Sequence, residues 1–287
     1  MLLWIWAKNA PGIHGSMRSG EVDATMVSTQ RGRFHPGPMH REIVFLTGSG
    51  LSARTGMGTF RGPQGLWALD PAIERSMHAD QLPDSVPDLW RVWGRMARLG
   101  VEHGPTPGHR AIARLDAPVI TQNIDGLHQA AGSEVVAELH GSALRAVCLT
   151  QECHWSMEVT PGDGERAEDH GVPENCPWCD ALTRPDVVLF DEQLPADALA
   201  LALRLAQRAD LFVAVGTSGV VFPAAQLAPA AKASGATTVL IDIDPPSEPF
   251  VRSAFDHIIA EDAHEVLPAW ERSLNGVGRG SFLDPFG

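Results

Sequence analysis

Four cysteines fall into two close pairs in this chain of 287 residues. Four residues separate Cys148 from Cys153, and two separate Cys176 from Cys179. Two close pairs joined by a longer loop are typical of a closed, tetrahedral zinc site with thiolate ligands. Two disulfides or free buried thiols are the alternatives, but we expect no secretion signal, and disulfides are rare inside cells. The spacing therefore predicts one structural zinc ion, with His154 as a competing ligand.

Polar side chains follow two apolar runs that are typical of strands. Asn123 and Asp125 come just after the run 117–121, and His140 follows the run 135–139. Ligands of open α/β sheets bind at the carboxyl ends of the strands, so we expect these side chains to lie close together. An imidazole titrates near neutral pH and can take a proton from a sugar hydroxyl. His140 is therefore the leading candidate for a general base, and a hydrogen-bonded structural histidine is the alternative.

A glycine-rich loop, residues 47–53, follows the apolar run 43–46. A strand that leads into such a loop and then into a helix is the opening of a dinucleotide-binding unit. We expect Gly48 to take a turn conformation closed to other residues, and Gly50 to let a pyrophosphate approach the backbone near a helix N-terminus. The third glycine comes late, at Gly56, so the strict fingerprint spacing fails and a purely structural turn remains an alternative.

Composition excludes several other kinds of chemistry. The net charge is −13 and no run is rich in lysine and arginine, which disfavours a nucleic-acid surface. The chain has no tyrosine, and its two lysines, Lys8 and Lys232, lie outside the candidate motifs. A catalytic lysine or the phosphate-binding lysine of a P-loop is therefore not expected. The apolar stretch 1–7 is too short to span a bilayer, and we expect a cytoplasmic protein without a membrane segment.

Strand and helix patterns alternate along most of the chain. The apolar run 43–46 predicts a buried parallel strand, and further strands are predicted at residues 117–121, 135–139, 187–190, 211–215, 237–241 and 257–259. Helical patterns occur at residues 87–99, 108–115, 196–207, 223–233 and 263–273. This alternation predicts an α/β fold with a doubly wound parallel sheet.

The cysteine region interrupts this alternation. Residues 146–183 are rich in acids, glycine and proline and have little apolar periodicity. We predict a small zinc-binding module there, inserted into a Rossmann-like large domain formed by residues 41–145 and 184–275. Residues 1–40 are expected to be a disordered leader, and residues 276–287 a loose tail.

Several motifs stand together in a recognisable order. They are Gly48-Ser49-Gly50-Leu51-Ser52, Gly58-Thr59-Phe60-Arg61-Gly62, Thr121-Gln122-Asn123-Ile124-Asp125-Gly126-Leu127-His128, Glu138-Leu139-His140-Gly141, the two cysteine pairs, Arg184-Pro185-Asp186-Val187-Val188 and Gly216-Thr217-Ser218. This order resembles that of the sirtuins, which are NAD-dependent protein-lysine deacylases, over about residues 41–262. The resemblance implies that the protein is a deacetylase that transfers the acyl group to ADP-ribose.

The resemblance also implies a mechanism. NAD would lie between the large domain and the zinc module, and the acyl-lysine oxygen would attack C1′ of the nicotinamide ribose as nicotinamide leaves. His140 would then act as base on the ribose hydroxyls, with Asn123 as the second catalytic residue, so that an alkylimidate collapses to free lysine and acyl-ADP-ribose. Cofactor contacts would come from Gly48, Ser49, Gly50, Ser52, Thr59, Phe60, Arg61, Gln122, Asn123, Ile124, Asp125, Gly216, Thr217, Ser218 and Asp242.

A substrate segment follows from the same resemblance. An acyl-lysine peptide would pair, as an added strand, with Val187, Val188, Leu189 and Phe190. Some positions depart from the family pattern: Ser49 replaces alanine, Gly58 replaces a proline and should loosen the cofactor loop, and Leu189 replaces an aromatic residue. Asp191 replaces a glycine and should favour a basic sequence context. Asp242 replaces an asparagine and should favour NAD over NADP, because a carboxylate repels a 2′-phosphate.

The acyl preference and two alternative functions remain to be tested. Sirtuins that remove succinyl or malonyl groups resemble one another in a Tyr and an Arg after the Phe-Arg-Gly loop, where this chain has Leu66 and Leu69. We therefore expect acetyl to be the preferred acyl group and longer apolar acyl groups to come second. Arg75 of the same segment is an alternative partner for the carboxylate of a dicarboxylic acyl group. A sirtuin-fold NAD hydrolase or ADP-ribosyltransferase would keep both Asn123 and His140. A non-catalytic NAD-binding regulator should have lost one of them, yet both are present.

Overall fold

The computed structural model describes residues 34–37, 39–56, 71–150 and 152–276. The predictions for residues 1–33, for the tail beyond residue 276 and for the loop 57–70 lie outside these ranges. That loop holds Gly58, Thr59, Phe60, Arg61, Leu66 and Leu69. Within the described ranges, every helix lacks the length or the apolar character needed to cross a membrane.

Nine strands and nine helices are named here, all from the described ranges. The strands are β1 (Ile43–Thr47), β2 (Val119–Thr121), β3 (Val136–Glu138), β4 (Gly141–Cys148), β5 (Ser156–Glu158), β6 (Thr183–Val187), β7 (Leu211–Val215), β8 (Thr237–Ile241) and β9 (His257–Ile259). The helices are α1 (Pro71–Ser76), α2 (Val86–Leu89), α3 (Arg95–His103), α4 (Pro107–Arg114), α5 (Leu127–Ala130), α6 (Ala196–Arg208), α7 (Leu227–Ala233), α8 (Pro249–Arg252) and α9 (Ala263–Gly276).

The large sheet has six strands in the order β3-β2-β1-β7-β8-β9, and every neighbouring pair is parallel. Its central strand β1 is buried along its whole length. Val44 and Leu46 pack with α6 and α7 on one face, whereas Ile43 and Phe45 pack with α4 and α9 on the other. Helices therefore cover both faces, which confirms the predicted doubly wound fold and explains why the strands are continuous apolar runs.

A second, antiparallel sheet has the order β5-β4-β6. It begins at Gly141 and ends at Val187, so it reaches beyond the predicted module 146–183 on both sides; the domain boundaries themselves stay predictions. The prediction of a parallel strand at residues 187–190 is wrong, because β6 ends at Val187 and pairs antiparallel with β4. An apolar run indicates extended chain, but it does not show which sheet the chain joins.

The chain ends of the folded region differ from the predicted ones. Phe34 stacks on His257 with ring centroids 4.5 Å apart and contacts Trp270 edge-on at 5.9 Å. The prediction of a disordered leader is therefore wrong for this residue, because its ring covers the apolar face of α9. Helix α9 also continues to Gly276, beyond the predicted end at residue 273.

The predicted helix at residues 87–99 is longer and contains a π-helical turn. The turn, Trp90–Gly94, joins α2 to α3, and the helical stretch continues to His103. The buried imidazole of His170, from the cysteine region, stacks on Trp90 with ring centroids 5.8 Å apart and lies against Gly94. The glycine leaves space for this ring, which joins the helix to the cysteine region.

We expect Gly94→Ala to lower the stability of the protein by about 1–3 kcal/mol, the usual cost of overpacking a core. A Cβ at this position would overlap the imidazole of His170, whose Nδ1 accepts a hydrogen bond from the Gly162 N–H. Urea unfolding of the purified protein measures the change. Gly37→Ala is the control, since nothing lies within 4 Å of the added methyl group. Equal stability of the two variants would contradict the prediction.

Candidate active site

The carboxyl ends of the central strands bring the predicted polar residues together. In the sheet register Thr47 lies opposite both Thr121 and Val215, and Val215 lies opposite Ile241. The loops that follow β1, β2, β7 and β8 therefore start at the same edge of the sheet. This convergence agrees with the placement expected from the sequence.

A buried hydrogen-bonded cluster forms the centre of this edge. The Asn123 amide nitrogen donates to Ser52 Oγ and to the Gly48 carbonyl oxygen, each at 3.1 Å. Ser52 Oγ donates to Asp125 Oδ2 at 2.6 Å, and the Leu127 N–H donates to Asp125 Oδ1 at 3.0 Å. Burial raises the pKa of Asp125, and these hydrogen bonds lower it in part. The cluster fixes the Asn123 amide, whose oxygen has no partner among the described residues.

The glycine loop differs from its predicted conformation. Gly48 is extended, with φ −128° and ψ −176°, so the turn expected there is wrong. A Cβ at Gly48 would instead lie 2.6 Å from the Gly216 carbonyl oxygen, and a Cβ at Gly50 would lie 2.7 Å from Gly216 Cα. Gly216 itself has φ +58°. These glycines therefore allow the loops after β1 and β7 to pack backbone against backbone.

The loop also lacks the predicted α-helix. Two 3₁₀ turns, Ser49–Leu51 and Ala53–Thr55, follow the first glycine. Such short turns do not build the dipole of a longer helix, so the expected attraction of a pyrophosphate to a helix N-terminus is not supported. The backbone contact between Gly50 N–H and the Gly216 oxygen, at 3.0 Å, holds the loop in place instead.

His140 lies between the two sheets, after β3 and directly before β4. Its Nδ1 lies 2.9 Å from the Gln122 carbonyl oxygen, which can only accept, so Nδ1 carries the hydrogen and Nε2 has the free lone pair. Burial lowers the pKa of His140, although this hydrogen bond raises it in part. The ring is therefore neutral near pH 7 and can accept a proton at Nε2. Gly141 follows with φ +74° and lies against the Asp186 carbonyl, a position without room for a side chain.

The other predicted cofactor residues that lie in the described ranges border the same edge. Gln122 donates through Nε2 to Thr217 Oγ1 at 2.9 Å, which joins the loops after β2 and β7. Thr217 is buried, whereas Ser218 is exposed. Asp242 follows β8, and its Oδ1 accepts the Asp244 N–H at 2.9 Å. Burial raises the pKa of Asp242, and its second carboxylate oxygen has no partner among the described residues. Ile124 is buried and belongs to the hydrophobic cluster that α1, α2 and α3 form with the small sheet.

The four cysteines form a separate cluster in the small sheet region. Their sulfur atoms all lie within 4.8 Å of one another, and no other residue of the described ranges joins this group. Cys148 Sγ lies 3.4 Å from Cys179 Sγ, and Cys153 Sγ lies 3.5 Å from Cys176 Sγ. Zinc–sulfur bonds of about 2.3 Å in a tetrahedron place sulfurs about 3.8 Å apart, so the cluster fits a zinc ion after a small expansion. His154 is not part of the group.

The predicted substrate segment has few free backbone donors. Val188 N–H donates to the His140 carbonyl oxygen at 3.0 Å and Phe190 N–H to that of Met77 at 2.8 Å. Leu189 N–H donates to the Glu192 carboxylate at 2.8 Å. A peptide that pairs as an added strand would have to displace these bonds. Contacts of this segment with a peptide are therefore expected through side chains rather than through these three donors.

Some site residues were missed at the level of sequence. Arg145 of β4 forms an ion pair with Asp186 of β6 at 2.6 Å and another with Glu138 of β3 at 3.4 Å, so it joins the small sheet to the large one. Thr47 and Thr121 end adjacent strands, and their hydroxyls lie 2.9 Å apart. Thr47 directly follows the apolar run 43–46 and Thr121 is the last residue of the run 117–121, which is the one sequence signal that could have identified these two residues.

Comparison with known proteins agrees with this geometry. Two proteins of Pyrobaculum aerophilum are similar in sequence. One, called NAD-dependent protein deacylase 2, is 42% identical over 79% of this chain and 89% of its own length. The other, called NAD-dependent protein deacetylase 1, is 40% identical over 82% of this chain and 90% of its own length.

A solved structure named "Sir2-p53 peptide-NAD+" has the same fold, with a TM-score of 0.66 and 31% identity. The similarity covers 84% of this chain and 95% of that one. The model of the Sir2 family matches residues 48–223, a range that holds the glycine loop, the buried Asn123 cluster, His140 and the four cysteines. The chain therefore belongs to the Sir2 family.

Proposed function

We propose that this protein is an NAD-dependent protein-lysine deacetylase. The observation that carries the proposal is the imidazole of His140, held through Nδ1 by the Gln122 carbonyl oxygen so that the lone pair lies on Nε2, at the same sheet edge as the buried Asn123. The names of the similar proteins support the reaction type. A cytoplasmic location suits the proposal, because a reducing compartment keeps the four thiols available for a metal ion.

The residues at the sheet edge suit NAD. Asp242 offers a carboxylate oxygen to the adenosine ribose, and its charge would repel the 2′-phosphate of NADP. The remaining contacts are assigned to Gly48, Ser49, Gly50, Ser52, Gln122, Asn123, Ile124, Asp125, Gly216, Thr217 and Ser218, together with Thr59, Phe60 and Arg61 of the loop outside the described ranges. When bound, NAD supplies an electrophilic ribose carbon and a nicotinamide leaving group.

His140 and Asn123 have separate tasks in this proposal. His140 Nε2 takes a proton from a ribose hydroxyl, while the Gln122 carbonyl oxygen holds Nδ1–H and stabilises the imidazolium that forms. Asn123, fixed by Ser52 and Gly48, presents its amide oxygen to the ribose. Asp125 orients Ser52 and thereby the amide. These residues bind, orient and deprotonate the substrate, and no lysine or tyrosine is needed.

The substrate is an acyl-lysine protein or peptide that reaches the site beside Val187, Val188, Leu189 and Phe190. Asp191 follows this segment with φ +71°, in a backbone region that suits the glycine usual in the family. Its carboxylate is exposed and lies 3.1 Å from His78 Nδ1. We propose that this charge favours basic residues near the acyl-lysine.

We propose that Cys148, Cys153, Cys176 and Cys179 hold one structural zinc ion. The Thr150 N–H donates to Cys148 Sγ and the Trp178 N–H to Cys176 Sγ, each at 3.4 Å. Hydrogen bonds of this kind stabilise thiolates, which are the metal-binding form of cysteine.

The pH dependence of the reaction should follow His140. Only the neutral imidazole can act as base, and burial lowers the pKa of this group below 6.5. We therefore expect kcat/KM on an acetyl-lysine peptide to stay level from pH 8 down to 6.5 and to fall only at lower pH. A pH profile of kcat/KM measures this directly. A fall that begins above pH 7 would contradict the assignment.

The acyl preference should be neutral, with acetyl first. Leu66 and Leu69 stand where a tyrosine and an arginine, in that order, would be expected for dicarboxylic acyl groups, and a buried carboxylate without a partner is strongly unfavourable. Arg75, the alternative partner for such a carboxylate, is exposed on α1. We expect kcat/KM on acetyl-lysine to exceed that on succinyl-lysine in the same peptide. A succinyl value that equals or exceeds the acetyl value would overturn this prediction.

Mass spectrometry of the products tests the function itself. The purified protein is incubated with NAD and, in separate reactions, with each member of a panel of acyl-lysine peptides. A further reaction contains NAD but no peptide. We expect free lysine peptide, nicotinamide and acyl-ADP-ribose, formed only when an acyl-lysine peptide is present. ADP-ribose formed at the same rate without peptide would instead identify an NAD hydrolase, and a mass increase of the protein by ADP-ribose would identify a transferase.

A further inference from the structure

Three buried histidines lie beside the active site, and the proposed reaction uses none of them. The rings of His109 and His128 are in edge contact, with centroids 4.7 Å apart. His264 packs against Gly108 of α4, the helix that also holds His109. Each of the three has one buried ring nitrogen without a hydrogen-bond partner within the described ranges.

His128 is connected to the active site by two hydroxyl groups. Its Nε2 lies 2.9 Å from Thr47 Oγ1, which lies 2.9 Å from Thr121 Oγ1. Thr121 Oγ1 accepts the backbone N–H of Asn123 at 3.0 Å. Because the two threonines lie opposite each other in the sheet register, the connection crosses from α5 through β1 and β2 to Asn123. All four residues are buried.

The Thr47 hydroxyl determines the direction of these hydrogen bonds, because it has a single hydrogen to donate. Thr47 Oγ1 donates to Thr121 Oγ1, so it accepts from His128, which carries its hydrogen on Nε2. Nδ1 of His128 has no partner within the described ranges. A hydrogen on that atom would be an unpaired buried donor, which is costly. Burial lowers the pKa of His128 to about 3, so this neutral form persists at physiological pH.

We propose that His128 is a positioning residue, which holds the Asn123 backbone through Thr47 and Thr121 and so fixes the Asn123 amide for the reaction. The proposal rests on the function proposed above, because it assigns a consequence for catalysis to the geometry of Asn123. His128 acts only through this hydroxyl chain and is not itself a catalytic residue.

Kinetics of two His128 variants test the proposal. His128→Gln keeps an N–H donor for Thr47, whereas His128→Leu removes it. We expect His128→Leu to lower kcat by about 10- to 100-fold, since a small misplacement of a catalytic group can cost that much, with KM for NAD within about threefold. We expect His128→Gln to stay within about threefold of the wild type in kcat. His264→Leu is the control, a buried histidine outside the hydroxyl chain, and should keep the wild-type kcat.

Two results would overturn the proposal in this experiment. One is a wild-type kcat in His128→Leu, and the other is equal impairment of His128→Leu and His128→Gln. If His128→Leu does not fold, Thr121→Val and Thr121→Ser replace it, because the valine removes the hydroxyl at nearly constant volume. The valine variant should lose kcat and the serine variant should keep it. The opposite order, or no difference, would exclude the hydroxyl chain.

Nuclear magnetic resonance tests the same chain without reference to activity. Long-range ¹H–¹⁵N spectra should show His128 protonated on Nε2 alone. The Asn123 amide proton should shift upfield in Thr121→Val and not in Thr121→Ser. Protonation on Nδ1, or an Asn123 amide that is insensitive to Thr121→Val, would overturn the positioning role. A wild-type protein without deacylase activity would refute the proposed function and leave this spectroscopic result standing.

Discussion

His140→Ala should lower kcat for deacetylation by about 10²–10⁴-fold, the usual cost of a lost general base. The ring is held by the Gln122 carbonyl oxygen, and the chain has no tyrosine to replace it. NAD should still bind, because Ser52, Asn123 and Asp242, which are proposed to contact it, are held by hydrogen bonds that do not involve the imidazole. Steady-state kinetics on an acetyl-lysine peptide and calorimetric titration with NAD measure the two effects.

His103→Ala is the matched control for this variant. His103 is an exposed histidine at the end of α3, and its Nδ1 contacts only the Leu99 carbonyl among the described residues. The control should keep the wild-type kcat. Full activity of purified His140→Ala would refute the assignment of the base.

Cys176→Ser should release the proposed zinc ion and unfold the small sheet region. Structural zinc is worth about 10–16 kcal/mol in small zinc-finger peptides. The apolar cluster around these cysteines is small, and it includes Val86 and Trp90 of the helical stretch that begins with α2. Elemental analysis should give one zinc per wild-type chain and none in the variant, whose thermal unfolding should begin at a clearly lower temperature.

Trp178→Ala tests whether the loss is specific to the ligand. Trp178 lies between Cys176 and Cys179 and is 71% exposed, so its removal changes the same loop without removing a thiol. This variant should retain its zinc and its unfolding temperature. Active wild-type protein that contains no zinc would contradict the metal assignment.

The large sheet was predictable from local composition. The strands β7 and β8 have the predicted bounds 211–215 and 237–241, because a parallel strand covered on both faces is rich in apolar, β-branched side chains. The cysteine cluster was also predictable from local sequence, because the short spacing within each pair keeps two thiols close together in any fold.

Other features depend on contacts between distant parts of the chain. The run 187–190 has the composition of a strand, but only the pairing with β4 shows that β6 ends at Val187 in the small sheet. Gly48 was expected to adopt a special turn, whereas it is extended and its lack of a side chain serves the contact with Gly216. The link from His128 to Asn123 depends on the register between β1 and β2, which composition does not determine.

The place of His140 between the sheets has a consequence for the whole enzyme. β3 belongs to the large sheet and β4 to the small one, so any rotation of one sheet against the other displaces the imidazole directly. Arg145, which pairs with Glu138 on one side and Asp186 on the other, resists that rotation. Changes that loosen the cysteine region, including metal loss, should therefore reduce turnover as well as stability, although no thiol belongs to the reacting cluster.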